Sequence, residues 1–146
     1  MTINWGLICG SLILSGTAFG SGFGVLIAGQ AAIGAWKKCF LTNKPAPMLM
    51  LAFIANPVTQ TFYAYILMDQ LMAAAELYPE KMFVYVGFSL AATATLIATA
   101  IIQGKIAASA VESICETRKG FAHDMAVMGV AETVALFTMV FTVASL

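Results

Sequence analysis

Charged side chains are absent from residues 1–36, 45–68 and 82–104, and residues 125–146 hold only one, Glu132. Each run reaches or exceeds the roughly 20 residues that an α-helix needs to cross the hydrocarbon of a bilayer. The pattern therefore predicts an all-α membrane protein with four transmembrane helices joined by short polar connections.

These helices group into two tandem hairpins, residues 1–72 and 73–146. Displacing the chain by 72 positions sets Gln60-Thr61 against Glu132-Thr133 and brings Gln30 near Gln103. Identity between the halves is low, so the duplication rests on equal spans, like loop polarity and these pairings. In helix one, Gly16, Gly20 and Gly24 recur every four residues within a set that also includes Gly10, Gly22, Gly29 and Gly34, leaving one face almost without side chains. Helix three repeats the character with Ala91, Ala92, Ala94, Ala98, Ala100, Gly104, Ala107, Ala108 and Ala110. Small residues at this spacing let helix backbones approach closely in lipid. Packing inside one bundle and packing between copies both use such faces. Two of them in one short chain suit the crowded inner wall of an oligomeric ring, which is the expected assembly. Helix one, from about residue 3 to 38, would run roughly 50 Å against about 30 Å of hydrocarbon, so its excess should project beyond the membrane.

Composition agrees with a membrane protein: 61% of the 146 residues are hydrophobic and 10% charged, with mean hydropathy +0.92. The first run lacks a basic leader and is longer than the roughly 7–15 apolar residues of a signal peptide, so it reads as a retained helix. Cys9, Cys39 and Cys115 are odd in number and match no metal-ligand spacing; free thiols are expected and no disulfide. Net charge is zero, and no basic face suggests nucleic acid. Lys37, Lys38 and Lys44 lie between helices one and two, and Lys105, Arg118 and Lys119 lie around the connection between helices three and four. The loop near residues 69–81 is mainly acidic, with Asp69, Glu76 and Glu80 beside Lys81. The positive-inside rule then places both basic connections in the cytoplasm and both termini outside, in a multi-pass membrane protein.

The stretch NPVTQTFYAY, residues 56–65, interrupts the apolar character of helix two. Asn56, Thr59, Gln60 and Tyr63 are spaced i, i+3, i+4, i+7 and share one helix face. Pro57 has no N–H for the carbonyl of Phe53, and a membrane helix tolerates that loss where other groups satisfy the freed oxygen. Glu132 stands halfway along helix four. Its charge would cost several kcal/mol at the bilayer centre unless protonated or paired, and no Lys or Arg lies at similar depth. An external cation is the natural partner. Gln103, in the cytoplasmic half of helix three, adds another amide. One carboxylate with amide and hydroxyl oxygens, and no imidazole or thiol, is the ligand set of a hard cation, whereas a proton needs only the carboxyl group and one partner. The surplus oxygens favour Na+ over H+.

With NPVTQT in helix two, IIQGK in helix three and GVAETVALF in helix four, the whole chain resembles the proteolipid (K or c) subunit of V-type rotary ATPases, in particular the sodium-pumping bacterial kind. The resemblance implies that Glu132 is the ion carrier and that Thr59 and Gln60 donate side-chain oxygens to Na+. Gln103 would complete the shell with the main-chain oxygen of Asn56, a less apolar residue than expected there, and Tyr63 would hydrogen-bond the carboxylate and hold it closed. It further implies partners: copies of the chain in a ring, a stator membrane subunit with half-channels, a central-stalk subunit of the soluble ATPase sector, and lipid. The chain would not be an enzyme by itself. Two other readings stay open, a ring of the same type carrying H+ and a small multidrug-type four-helix transporter.

Overall fold

The computed structural model describes residues 4–146. Residues 1–3, the beginning of the first charge-free run and of the expected helix one, lie outside the described residues. The first helix, α1, spans Trp5–Leu41, with the side chain of Asn4 accepting from Leu7 N at 3.0 Å as an N-cap. After a connection containing Pro45 and Pro47, a 3₁₀ turn at Met48–Met50 leads into α2, Leu51–Ala55. A second 3₁₀ turn, Asn56–Val58, leads into α3, Thr59–Leu77. The last two helices are α4, Met82–Thr117, and α5, Phe121–Ser145.

The interruption between α2 and α3 is the work of Pro57. Deprived of a proline N–H, the chain tightens: Asn56 N–H reaches back to Phe53 O, and Thr59 N–H to Asn56 O, in three-residue steps. The backbone stays right-handed through the turn, so α2 and α3 form one rod in two pieces. Among the described residues, three helical segments are long and apolar enough to cross a membrane: Trp5–Leu41, Pro79–Thr117 and Phe121–Ser145. The expected fourth span is the divided rod, whose proline break and polar stripe lower both its regular length and its hydropathy.

α1 is 37 residues long and α4 is 36, which corresponds to about 55 Å each, well beyond a hydrocarbon core. They pack chiefly on each other. Cβ atoms built at Gly16 and Gly20 would collide with Thr93 and Ile97 of α4, and one at Gly24 with the Ala100 carbonyl and Pro57. A Cβ at Gly104 would run into the backbone of Gly24. The glycine stripe read from the sequence is therefore consumed inside the chain, in α1–α4 contact, rather than left for a neighbouring copy. By contrast, Gly22, Gly29, Gly34, Gly87 and Gly129 have open space around them.

α5 packs on α4 and α3 and is the least enclosed helix. Its buried positions are Met128, Ala135 and Thr142, one every seven residues, with Met139 packed partly against the core between them. Glu132 falls on this same inward stripe, four residues after Met128 and three before Ala135.

The apolar core is split into two clusters. One gathers Ala28, Ala32, Phe53, Ala107, Val111 and Met128, with Cys39 and Cys115 toward the basic connections. The other gathers Ile13, Ala64, Leu67, Leu71, Leu96 and Ala135 toward the acidic loop. Between the two lie buried polar residues: Thr17 and Ser21 on α1, Gln60 on α3, Thr99 and Gln103 on α4. At the basic end, Lys38 pairs with Glu116 at 2.6 Å, and Arg118 Nη1 donates to Pro45 O at 2.6 Å. Only three residues separate α4 from α5, and two of them, Arg118 at φ 59° and Gly120 at φ 91°, take the left-handed conformation that lets the chain reverse so tightly.

Replacing Gly104 with Ala should cost about 1–3 kcal/mol, because the new Cβ meets backbone, not the end of a flexible side chain. Gly87→Ala, in open space, should leave stability unchanged or raise it by about 0.5–1 kcal/mol through helix propensity. Thermal unfolding of the detergent-solubilised chain compares them, and equal midpoints for the two variants would contradict this packing.

Candidate functional site

Between the two apolar clusters, four helical segments bring their polar residues to one place. Thr59 heads α3, directly after the 3₁₀ turn, and its Oγ donates to Asn56 O at 2.8 Å. The same hydroxyl lies 3.4 Å from Gln60 Oε1. Gln60, completely buried, donates from Nε2 to Gln103 Oε1 at 2.9 Å. Gln103, equally buried, donates from Nε2 to Glu132 Oε2 at 2.7 Å. Finally Tyr63 OH donates to Glu132 Oε1 at 2.8 Å. A single hydrogen-bonded chain thus runs from a main-chain carbonyl on one side to a carboxylate and a phenol on the other, and it contains all six residues named from the sequence.

The local reasons are separable. The 3₁₀ turn at Asn56–Val58 directs the Asn56 carbonyl toward Thr59. Gln60 and Tyr63, three residues apart, share a face of α3. The absence of side chains at Gly24 and Gly104 lets α1 and α4 close to backbone contact, with Pro57 against Gly24, and this brings α3 within amide reach of α4. Glu132 is directed inward by the seven-residue stripe of α5, with both carboxyl oxygens bonded into the bundle, and the residue as a whole stays half-buried.

No basic side chain answers the carboxylate. Among the described residues the one ion pair is Lys38–Glu116, and no group of three or more His, Cys, Asp or Glu could hold a metal ion. The oxygens within the network are one carboxylate, two amides, the hydroxyls of Thr59 and Tyr63, and one main-chain carbonyl. That donor set suits a small hard cation with no preference for nitrogen or sulfur. The same chain can carry its hydrogen bonds in the opposite sense. If Glu132 held a proton and donated to Gln103 Oε1, rotation of both amides would pass the polarity back to Thr59, because an amide presents one donor end and one acceptor end.

Two features escape the sequence reading. Thr61 Oγ donates to Ser21 Oγ at 2.8 Å, tying α3 to α1 one residue beyond Gln60. Ser21 sits among the glycines of α1, and a polar residue inside a small-residue stripe was the available signal. The pairing of Gln30 with Gln103 does not bring Gln30 to the site. Gln30 is exposed and lines a cleft with Lys38, Glu112 and Glu116 toward the basic end, because the matching residue of a long helix is decided by packing and not by a fixed displacement along the sequence.

Residues 86–144, about two-fifths of the chain, match the family model for the C subunit of ATP synthase. The matched segment contains Gln103 and Glu132 and ends before the last residues of α5, whereas Asn56, Thr59, Gln60 and Tyr63 lie outside it. Comparison with curated proteins gives no match. Three helices of membrane-crossing length and apolarity, together with this similarity over residues 86–144, indicate an integral membrane protein whose second half resembles the ATP synthase C subunit.

Glu132→Gln should keep the fold, since a carboxamide can rejoin the network once the neighbouring amides turn over. Gln103→Leu should cost more, about 1–3 kcal/mol, by stranding Gln60 Nε2 and Glu132 Oε2 without partners. Midpoints of thermal unfolding at neutral pH test the ordering, and a more stable Gln103→Leu protein would refute the network as described.

Proposed function

We propose that the chain is the rotor-ring subunit of a V-type rotary ATPase and carries Na+ across the membrane on Glu132. The observation behind this reading is the hydrogen-bonded chain from Asn56 O through Thr59, Gln60 and Gln103 to Glu132, which gathers more oxygen donors around one membrane carboxylate than a proton requires. The similarity of residues 86–144 to the ATP synthase family model supports the broader assignment to an ion-carrying rotor.

In this reading α1, the α2–α3 rod, α4 and α5 are four membrane spans, arranged as two hairpins over residues 1–72 and 73–146. The basic connections face the cytoplasm and both termini face outward. Copies of the chain form the ring, bathed in lipid on the α5 side, where Val130, Phe137 and Phe141 are exposed. The ring turns against a stator membrane subunit and is driven through a central stalk by ATP hydrolysis in a separate soluble sector. The chain itself performs no catalysis.

The mechanism rests on charge. An ionised Glu132 alone would be costly against hydrocarbon, whereas Glu132 with one bound monovalent cation is neutral and can pass lipid. Thr59, Gln60, Gln103 and the Asn56 carbonyl replace the water that the ion leaves behind. The hydroxyl of Tyr63 holds the carboxyl group turned inward while the site is loaded. At the stator, a fixed positive charge would favour the empty carboxylate, and release follows from that exchange of partners. Each elementary charge moved against the membrane potential requires about 2.3 kcal/mol per 100 mV. Gln60 stands where the internal repeat would put a second carboxylate, so each chain carries one ion.

A proton-carrying ring of the same build is the second reading, and the reversible polarity of the amide chain favours it to the extent that the network needs no metal. A small multidrug-type transporter is disfavoured, because its membrane carboxylate belongs to the first helix and α1 contains none.

Dicyclohexylcarbodiimide, which attacks protonated membrane carboxyls, should modify Glu132 and leave the Glu132→Gln protein unlabelled. Na+ at neutral pH should slow the reaction at least tenfold, and K+ should not. If Na+ gives no protection while acidification accelerates labelling, the ring carries protons. Native mass spectrometry should show a large homo-oligomer; a dimer would remove the rotor reading altogether.

A further inference from the structure

Away from the Glu132 network, the basic end of the bundle holds two sulfurs face to face. Cys39, near the end of α1, and Cys115, near the end of α4, place their Sγ atoms 3.2 Å apart across the α1–α4 contact. They are separated by 76 residues, and nothing in the sequence pairs them. Both are free thiols. Their surroundings differ from those of Cys9, which is buried at the other end among apolar side chains. Arg118 Nη2 donates to Cys39 Sγ at 3.2 Å, while its Nη1 is anchored on Pro45 O. Cys115 Sγ donates to Ala35 O at 3.2 Å. Both cysteines line a cleft of about 200 Å³ that opens between Lys38, Thr42, Lys44 and Glu116.

We infer that Cys39 and Cys115 form a peroxide-sensitive dithiol that closes to a disulfide within one chain, stapling α1 to α4. Two sulfurs already 3.2 Å apart need to close by little more than 1 Å to reach the bond length of about 2.05 Å. The oxidant must be small, because Cys39 is 2% exposed and Cys115 is 6% exposed, and hydrogen peroxide fits such a cleft. The Cys39 thiolate, its charge met by the Arg118 guanidinium, attacks one peroxide oxygen. An S–O bond forms, the O–O bond breaks, and the departing hydroxide takes up the proton that Cys39 gave away, as water. The sulfur of Cys115 then attacks Cys39 Sγ. The S–S bond forms, the S–O bond breaks, and the second hydroxide leaves with the Cys115 proton as a second water. Two thiols are oxidised and one peroxide is reduced to two waters.

Guanidinium neighbours and a resolving thiol are the surroundings expected of redox-responsive cysteines. With the basic end in the cytoplasm, the orientation taken from the proposed function, the pair rests reduced and closes only under oxidative conditions. Closure would also take a hydrogen-bond partner from Arg118, which fixes the short connection leading into α5. Twelve residues of α4, about 18 Å, separate Cys115 from Gln103, so ion binding at Glu132 should be unaffected.

The test uses the full chain in native membranes or detergent, titrated with hydrogen peroxide, then denatured, alkylated with a maleimide and read by intact mass and peptide mapping. Alkylatable thiols should fall from three to one per chain, with Cys9 the survivor, and a peptide joining Cys39 to Cys115 should appear and vanish with dithiothreitol. In the Cys115→Ser protein, Cys39 should stop at a sulfenic acid that dimedone traps. Three alkylatable thiols after treatment, oxidation of Cys9 before the pair, or a bridge joining two chains would each overturn the inference. The outcome is independent of whether Glu132 carries Na+ or H+, since carbodiimide protection reads that site separately.

Discussion

A carboxyl group inside an apolar helix bundle is tolerable only where something answers its charge, and this constraint organises the whole chain. Glu132 lies on the inward stripe of α5, between Met128 and Ala135, where its carboxyl group meets the other helices. Nothing basic faces it. The protein meets the carboxylate with Tyr63 OH and Gln103 Nε2 instead, and these in turn are held by Gln60 and by the break at Pro57. Neutral donors offset part of the desolvation while leaving the net charge of the carboxylate uncancelled, and the proposed function assigns that charge to a cation. A permanent Lys or Arg partner would have neutralised the site by itself.

The position of this network follows from packing. Two apolar clusters, one toward each end, leave a layer between them in which α1, α3 and α4 each contribute a buried polar residue. Within that layer the backbones of α1 and α4 touch at Gly24 and Gly104, and Pro57 presses on the same place. Side chains of any size there would hold the helices apart, and the two buried amides would lose each other. The glycines thus serve the site indirectly, by setting the distance across which Gln60 and Gln103 bond. The proline serves it twice, by breaking the regular hydrogen-bond ladder and by filling the space beside Gly24.

The two ends of the bundle are built for different surroundings. Toward the acidic loop, Tyr85 OH donates to the main-chain carbonyls of Ala74 and Tyr78 and closes the turn into α4. Toward the basic connections, Lys38–Glu116 and the two-pronged contacts of Arg118 tie the end of α1 and the connection after it to the end of α4. Arg118 holds a left-handed backbone at the close of α4, so its side-chain contacts and the sharp reversal into α5 depend on each other. The thiol pair sits beside that reversal, across the contact between α1 and α4.

From the sequence by itself came the apolar spans, the inward polar face of Asn56, Thr59, Gln60 and Tyr63, and the isolation of Glu132 from any base, because helix periodicity and the scarcity of charge are local properties of the chain. The disturbance at Pro57 was legible for the same reason, since a missing N–H acts within four residues. Tertiary structure alone decided what those faces meet. That the Gly16–Gly20–Gly24 stripe is spent on α4, that Gln30 misses the site, that Ser21 bonds Thr61, and that Cys39 and Cys115 lie in contact all depend on the rotation and offset of one long helix against another. Those quantities emerge from many small packing contacts distributed along the interface, and no spacing within a single helix encodes them.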